Sequence, residues 1–342
     1  MNGHAGSEER ENRLRIGVIS FAHMHAHSYA RAVCALPDVV LVGVADDNES
    51  RGRKAAGQHG VAYFSDARKL LESGLDAVIV CSENVRHRDH VIASAEAGVD
   101  VLCEKPIATT AADGVEMIQA CKAAGVTLAT AFPVRHASPV VRAKQLVDEG
   151  KVGKVLAVKA TNHGRMPGGW FIEHDLSGGG AIIDHTVHVA DLLRWILEDE
   201  FKSVYAEIDT RFYDFDIDDC GTLAFEMEKG VFATLDPSWS RPRAYPTWGD
   251  VTMEIVGTCG VLSVDVFAQY LVEASNSQGT VLYRGWGDNA DLALVADFVS
   301  AVREGRRPAA DGVDGLRALE VALGAYESAR LGEAITLNRA GC

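Results

Sequence analysis

No GxGxxG phosphate-binding fingerprint, no CxxC pair, no HExxH and no run approaching eighteen apolar residues occurs in this chain. The missing apolar run excludes a membrane-spanning helix. The missing CxxC and HExxH patterns remove the commonest zinc and dithiol signatures. Seven cysteines are scattered at 34, 81, 103, 121, 220, 259 and 342. An odd, unpatterned set fits reduced thiols better than a disulfide framework. Positive charge is also short: 33 Lys and Arg face 48 Asp and Glu, a net charge of −15. That acidity argues against nucleic acid or an anionic membrane as partner, because phosphate repels it. Residues 1–13 form a polar tail without an apolar signal region or twin-arginine motif. A cytoplasmic protein is expected.

What is present is a strand–helix alternation over residues 14–134. Apolar runs at 14–20, 39–45, 77–81, 99–103 and 127–131 are short and rich in Val and Ile. Strands buried on both faces read this way. Helical stretches lie between them at about 27–36, 49–58, 66–73, 87–97 and 110–124. The alternation predicts a doubly wound parallel sheet of the Rossmann type. From 135 to 342 the rhythm changes to strands at 153–162, 203–212, 220–228, 230–237, 249–256, 260–266, 268–274 and 278–284. These predict an open-faced, mainly antiparallel sheet, interrupted by a helix from Ala181. A last helix is expected over 314–331, capped by Asp314, ending at Gly332 and packing back on the first domain. No element is assigned between 284 and 314.

Two short runs carry the chemistry, Glu104-Lys105-Pro106 at the end of the strand at 99–103 and Asp184-His185-Thr186-Val187-His188 after Gly178-Gly179-Gly180. Asp184 and His188, four apart, share one helical face. Oxidising an alcohol needs a base for the hydroxyl proton, and His188 titrates in the right range. Asp184 can orient that ring or hold a substrate hydroxyl. Lys105 can stabilise the developing alkoxide. At the places of the phosphate-binding glycines stand Ser20, Ala22 and His25. Ser and Ala are small enough to let backbone approach a pyrophosphate, and His25 can hydrogen-bond a phosphate. Asp46 closes the second strand where a carboxylate binds ribose hydroxyls. With Asp47 following and no arginine immediately beside them, NAD is expected in preference to NADP.

In this order and spacing these marks resemble the glucose–fructose oxidoreductase/inositol dehydrogenase (Gfo/Idh/MocA) family, from Leu14 to about Leu337. The matching residues include Asp46, Ser82-Glu83-Asn84 with His87, Glu104-Lys105-Pro106, Arg135, the glycine run, Asp184, His188 and Asp191. The resemblance implies an NAD(P)-dependent oxidoreductase acting on a sugar, polyol or similar substrate, with a second domain that often mediates oligomerisation. It implies Lys105 as the catalytic lysine, completed by Asp184 and His188. Asn84 and Glu104 are placed near the nicotinamide ribose, and Pro106 shapes the turn. Ser82 and His87 join them as cofactor contacts. The chain departs from the family pattern at the glycine turn and at Thr186, where the family has glycine.

Arg135, His136, His163, Arg165, Trp170, Phe171 and His185 are candidate substrate contacts, Trp170 as an aromatic platform for a sugar face. A zinc site of His163, Asp184 and His188 is the metal alternative. The Asp/His spacing already has an explanation, so no metal is expected. Asp214, Asp216, Asp218 and Asp219 lack the glycine and terminal glutamate of an EF-hand and read as a solvated connection. The function expected is NAD-dependent oxidation of a secondary alcohol of a sugar or cyclitol by a homodimer or homotetramer. The rivals are a redox-neutral glycosidase that oxidises transiently and a non-catalytic nucleotide sensor.

Overall fold

The computed structural model describes residues 13–277 and 279–341; the polar tail up to residue 12 lies outside them. The chain divides into two compact units. The first holds residues up to Phe132 together with Asp291–Leu316, the second Pro133–Ala290 and Arg317–Arg339.

In the first unit, strands β1 (Leu14–Ile19), β2 (Val39–Ala45), β3 (Ala62–Phe64), β4 (Ala77–Val80), β5 (Asp100–Cys103) and β6 (Leu128–Thr130) pair in the order β3-β2-β1-β4-β5-β6. All neighbours are parallel, which is the doubly wound order expected. Helices α1 (Ala26–Ala35), α2 (Glu49–His59), α3 (Ala67–Leu71), α4 (His87–Glu96) and α5 (Ala111–Ala124) connect them. Their ends follow local chemistry. The Asn48 side chain accepts from Arg51 N to cap α2, and Gly60 ends it in the left-handed region. A Cβ on Gly17 would meet the Leu75 side chain, in the segment leading into β4, at 2.7 Å.

In the second unit, α6 (Ser138–Asp148) leads into β7 (Val155–Thr161) and α7 (Ala181–Leu197). Then come β8 (Phe201–Asp209), β9 (Cys220–Met227), β10 (Phe232–Asp236), β11 (Thr252–Gly257) and β12 (Gly260–Asp265). With a short β15 (Ile335–Thr336) they form a seven-stranded sheet, β12-β11-β7-β10-β9-β8-β15, antiparallel except for β7 and β10. Two expected strands leave this sheet. β13 (Tyr270–Ser275) and β14 (Thr280–Gly285) make a separate two-stranded hairpin.

Two corrections concern the C-terminal helices. Helix α8 (Ala290–Glu304) occupies a stretch to which the sequence pattern assigns nothing. Its Leu294, Val295, Phe298 and Val299 are buried in the core built by β1, β2, β4 and α1. The piece of chain that returns to the first unit is therefore α8 with the first turn of α9 (Gly312–Leu331). The cap of α9 is Asp311, whose Oδ1 accepts from Val313 N and Asp314 N at 2.9 and 3.0 Å. Asp314 lies inside the first turn and reciprocates by accepting from Asp311 N at 3.1 Å.

Candidate active site

The turn after β1 makes with serine what the fingerprint makes with glycine. Ser20 adopts φ of 69°, the left-handed region that costs a side chain some strain. Its Oγ accepts from Ala22 N at 3.1 Å, which offsets part of that cost by closing the turn. His25 stands at the N-terminal end of α1, where a helix offers free N–H groups and positive potential to an anion. The small residue at 22 and this helix end are what a dinucleotide pyrophosphate requires, so the residues present fit the cofactor.

Behind the turn lies a buried charge cluster. Glu104 is fully buried; its Oε1 is 2.9 Å from His25 Nδ1 and 3.6 Å from His23 Nδ1, and its Oε2 accepts from Lys105 N at 2.9 Å. Burial opposes ionisation, but His23, His25 and Lys105 hold the Glu104 carboxyl well below the usual range. Reciprocally, burial works against protonation of His25 while Glu104 more than compensates, leaving its pKa raised. His23, His25 and Glu104 form a group of potential ligand atoms among the described residues that lie within 4.8 Å of one another, the spacing of a metal ligand set. However, His25 donates to Glu104 and His23 Nδ1 accepts from His25 N at 3.2 Å. The alternative zinc set of His163, Asp184 and His188 is not gathered among the described residues.

Lys105 is 4% exposed, and Ser82 and Asn84 are buried at the end of β4 beside it in the chain's topology. His87, expected as a cofactor contact, also braces the fold. Its ring is fully buried, with Nδ1 2.9 Å from Pro106 O and Nε2 3.2 Å from Ser82 O, so it ties the loop after β4 to the turn after β5. Asp46 ends β2 at the rim of a cavity of about 330 Å³ that Ser20, Asp47, Ser82, Glu83 and Arg86 also line. The expectation that no arginine stands beside Asp46 is corrected: Arg51, in the first turn of α2, grips it from 2.8 Å.

In the second unit, α7 carries Asp184 and His188, 9% and 8% exposed. The start of this helix is fixed by Asp218, whose carboxylate accepts from Gly180 N and Ile182 N, each at 2.8 Å. A Cβ on Gly180 would come within 1.9 Å of Asp218 O, so the glycine run is what lets the strand connection close on the helix. Asp219 is fully buried and accepts from Arg211, Phe212 and Tyr213 N. Asp218 and Asp219 are therefore structural caps, which corrects their reading as a solvated connection.

Asp184 Oδ2 accepts from Trp239 Nε1 at 3.2 Å and lies 3.4 Å from His185 Nε2. His185 is itself pinned, its Nδ1 donating to Pro237 O at 2.8 Å. Trp239, fully buried, holds Asp184 in place and is announced by no motif. Three expected substrate contacts turn out to be held by the fold. His185 is 5% exposed and braces Asp184. Arg135, 4% exposed, is bound through two nitrogens to the fully buried Asp191. His163 sits between Asp236, 3.0 Å away, and Asp250, 3.1 Å away, with Arg241 beside it. Trp170 stacks on Phe171 at 3.9 Å between ring centres and stays partly exposed. Thr186 is fully buried.

A parallel dinucleotide-type sheet with an acid at the end of β2 and a lysine after β5 defines an oxidoreductase of the Rossmann class. The comparisons agree: residues 14–132 match the family described as oxidoreductase family, NAD-binding Rossmann fold, and residues 140–263 match the GFO/IDH/MocA C-terminal domain. The chain belongs to the Gfo/Idh/MocA family. It is 29% identical over 327 residues to the myo-inositol 2-dehydrogenase of Thermotoga maritima, covering 92% of this chain and 96% of that one. It is 29% identical over 310 residues to the 1,5-anhydro-D-fructose reductase of Ensifer adhaerens, covering 86% and 90%. Among solved structures it is similar to GenD2 from gentamicin A biosynthesis, in complex with NAD, with a TM-score of 0.87, 25% identity and coverage of 96% and 97%.

Proposed function

We propose that the protein oxidises a secondary alcohol of a sugar, cyclitol or related polyol, with Lys105, Asp184 and His188 as its catalytic residues. The observation that carries this reading is the pair of residues on α7: His188 follows Asp184 by one helical turn, and Asp184 has one oxygen held by Trp239. Bound NAD supplies the acceptor for the hydride that leaves carbon. His188 takes the hydroxyl proton. Lys105 stabilises the alkoxide as it develops, and Asp184 orients the His188 ring or holds a substrate hydroxyl. Ser20, Ala22, His25, Asp46, Ser82, Asn84, Glu104 and Pro106 form the cofactor side of the proposal. Trp170 remains a substrate contact in it. The relatives named above act on a cyclitol and on an anhydrosugar, which supports the substrate class.

The test is a panel of inositols, aldoses, anhydrosugars and glycosides, scored by the nicotinamide absorbance. At least one polyol should give net reduction of NAD. Lys105→Ala and His188→Ala should each then lower turnover by about 10²–10⁴-fold while NAD binding survives. Near-normal turnover in both variants would overturn the assignment.

The six described cysteines are free thiols, and no described helix is long and apolar enough to cross a membrane. These features support the reading of a cytoplasmic enzyme. For assembly, we propose a symmetric dimer, or a tetramer of such dimers, built through the outer face of the seven-stranded sheet.

A further inference from the structure

A carboxylate has room for about four hydrogen bonds, and Asp46 already makes four within the chain. Oδ2 accepts from Phe21 N and Arg51 Nε, each at 2.8 Å. Oδ1 accepts from Asn48 N at 2.9 Å and from Arg51 Nη2 at 2.8 Å. The two backbone donors belong to the turn after β1 and the start of α2, and neither can move far. Tyr63 donates to Asp46 O at 3.0 Å, and a Cβ on Gly52 would meet Asp46 Cβ at 2.7 Å, so main chain and helix are packed hard together. The Arg51 side chain is the partner able to leave. It is 29% exposed against 0% for Asp46, and it has other acceptors in reach: Ser20 Oγ and Asp47 Oδ1 at 3.4 Å, and Glu83 Oε1 at 4.0 Å. Arg86 stands on the same rim, paired with Asp47 and 3.5 Å from Glu83.

We propose that Arg51 is the specificity-determining residue at the adenosine end of the cofactor site. It must release Asp46 before a ribose diol can bind there, and once released it meets a 2′-phosphate. The inference rests on the reading of Asp46 as the ribose-binding carboxylate. A carboxylate standing alone would repel a 2′-phosphate outright. Here the same movement that frees acceptors for a diol also frees a planar two-pronged cation, suited to phosphate oxygens, with Arg86 close by. The preference for NAD over NADP is thereby compressed, because NAD binding has to break the Arg51 fork and NADP binding reuses it.

Calorimetric titration of NAD and NADP into the wild type, Arg51→Met and Arg51→Lys tests this without any turnover. In the wild type the two dissociation constants should lie within about tenfold of one another, a difference near 1.4 kcal/mol. Arg51→Met keeps the length of the side chain and removes its charge. It should bind NAD about threefold or more tightly than the wild type and NADP about tenfold or more weakly, the loss of a charge-assisted contact. Arg51→Lys keeps the charge without the fork and should fall between the two for NADP. Equal shifts of both constants in the same direction in Arg51→Met would show a purely structural role and overturn the proposal, leaving the NAD assignment intact. Failure of the wild type to bind NAD would overturn both.

Discussion

Asp184 is oriented by Trp239, 55 positions away in sequence, and by its neighbour His185. Trp239 donates to its Oδ2 from a fully buried position after β10, and His185, anchored on Pro237 O, closes on the same atom. The carboxylate is thus held from one side by Trp239 and His185. Trp239→Phe retains most of the buried ring and deletes only the N–H. Because a hydrogen bond to a charged group contributes about 1.5–3 kcal/mol, kcat should fall by about tenfold or more. The calorimetric affinity for NAD should stay at its wild-type value and the far-ultraviolet spectrum should be unchanged. Unaltered kcat would show that Trp239 only fills space. At this scale residue type and spacing alone single out Lys105, Asp184 and His188 as the proposed catalytic set. Trp239 was not legible, because a tryptophan between two strands looks like core until its N–H is seen to have one partner. Arg51 escaped for a different reason: five residues from Asp46 in sequence, it returns to it through the first turn of α2.

Among elements, the ends of β7, β10 and β11 are joined by one titrating group. His163 follows β7, Asp236 closes β10, Asp250 precedes β11, and the imidazole lies between the two carboxylates. Burial opposes its protonation, but Asp236 and Asp250 raise its pKa from 6.5 to about 9. A histidine whose pKa is raised by folding stabilises fully below its unfolded value and loses that contribution as pH climbs through the folded one. The second unit should therefore lose stability between pH 6.5 and about 9. The same bridge holds Asp236 below its ordinary range despite its burial, so its own share is lost on the acid side. Melting temperatures followed by circular dichroism from pH 6 to 10 should fall across that alkaline window in the wild type. In His163→Asn the slope over that window should be flatter; an unchanged slope would remove the bridge from the account. The elements themselves were mostly legible, because strands buried on both faces have continuous apolar runs and the turns carry glycine. Helix α8 was hidden because Leu294, Val295, Phe298 and Val299 sit among further alanines and valines, which blurs the helical stripe. The Asp218 and Asp219 caps were hidden because a cluster of acids looks solvated unless the backbone N–H groups it serves are known.

For the whole molecule, the open question raised by the fold is what covers the outer face of the seven-stranded sheet. Its inner face buries Val158, Ala160, Leu223, Phe225, Ala233, Leu235, Met253 and Ile255. Its outer face is two-toned. One cross-strand row runs Val261, Val256, Ala157, Phe232 in register, with Val261 and Phe232 59% and 62% exposed. The next row runs Ser263, Glu254, Lys159, Thr234, Ala224, Tyr205, with Lys159 directly across from Glu254. A chain of net charge −15 resists self-association over most of its surface, but this face carries both signs around an apolar row. Under two-fold symmetry such a row packs against its own copy, burying side chains that water otherwise surrounds. Light scattering at micromolar protein should give a mass that is two or four times the 36.7 kDa of the chain. Phe232→Glu places a charge in the middle of the row without touching the inner face, and it should shift the mass toward that of the single chain while NAD binding persists. A wild type that runs as a monomer rejects the dimer; an oligomer indifferent to Phe232→Glu moves the interface away from this sheet.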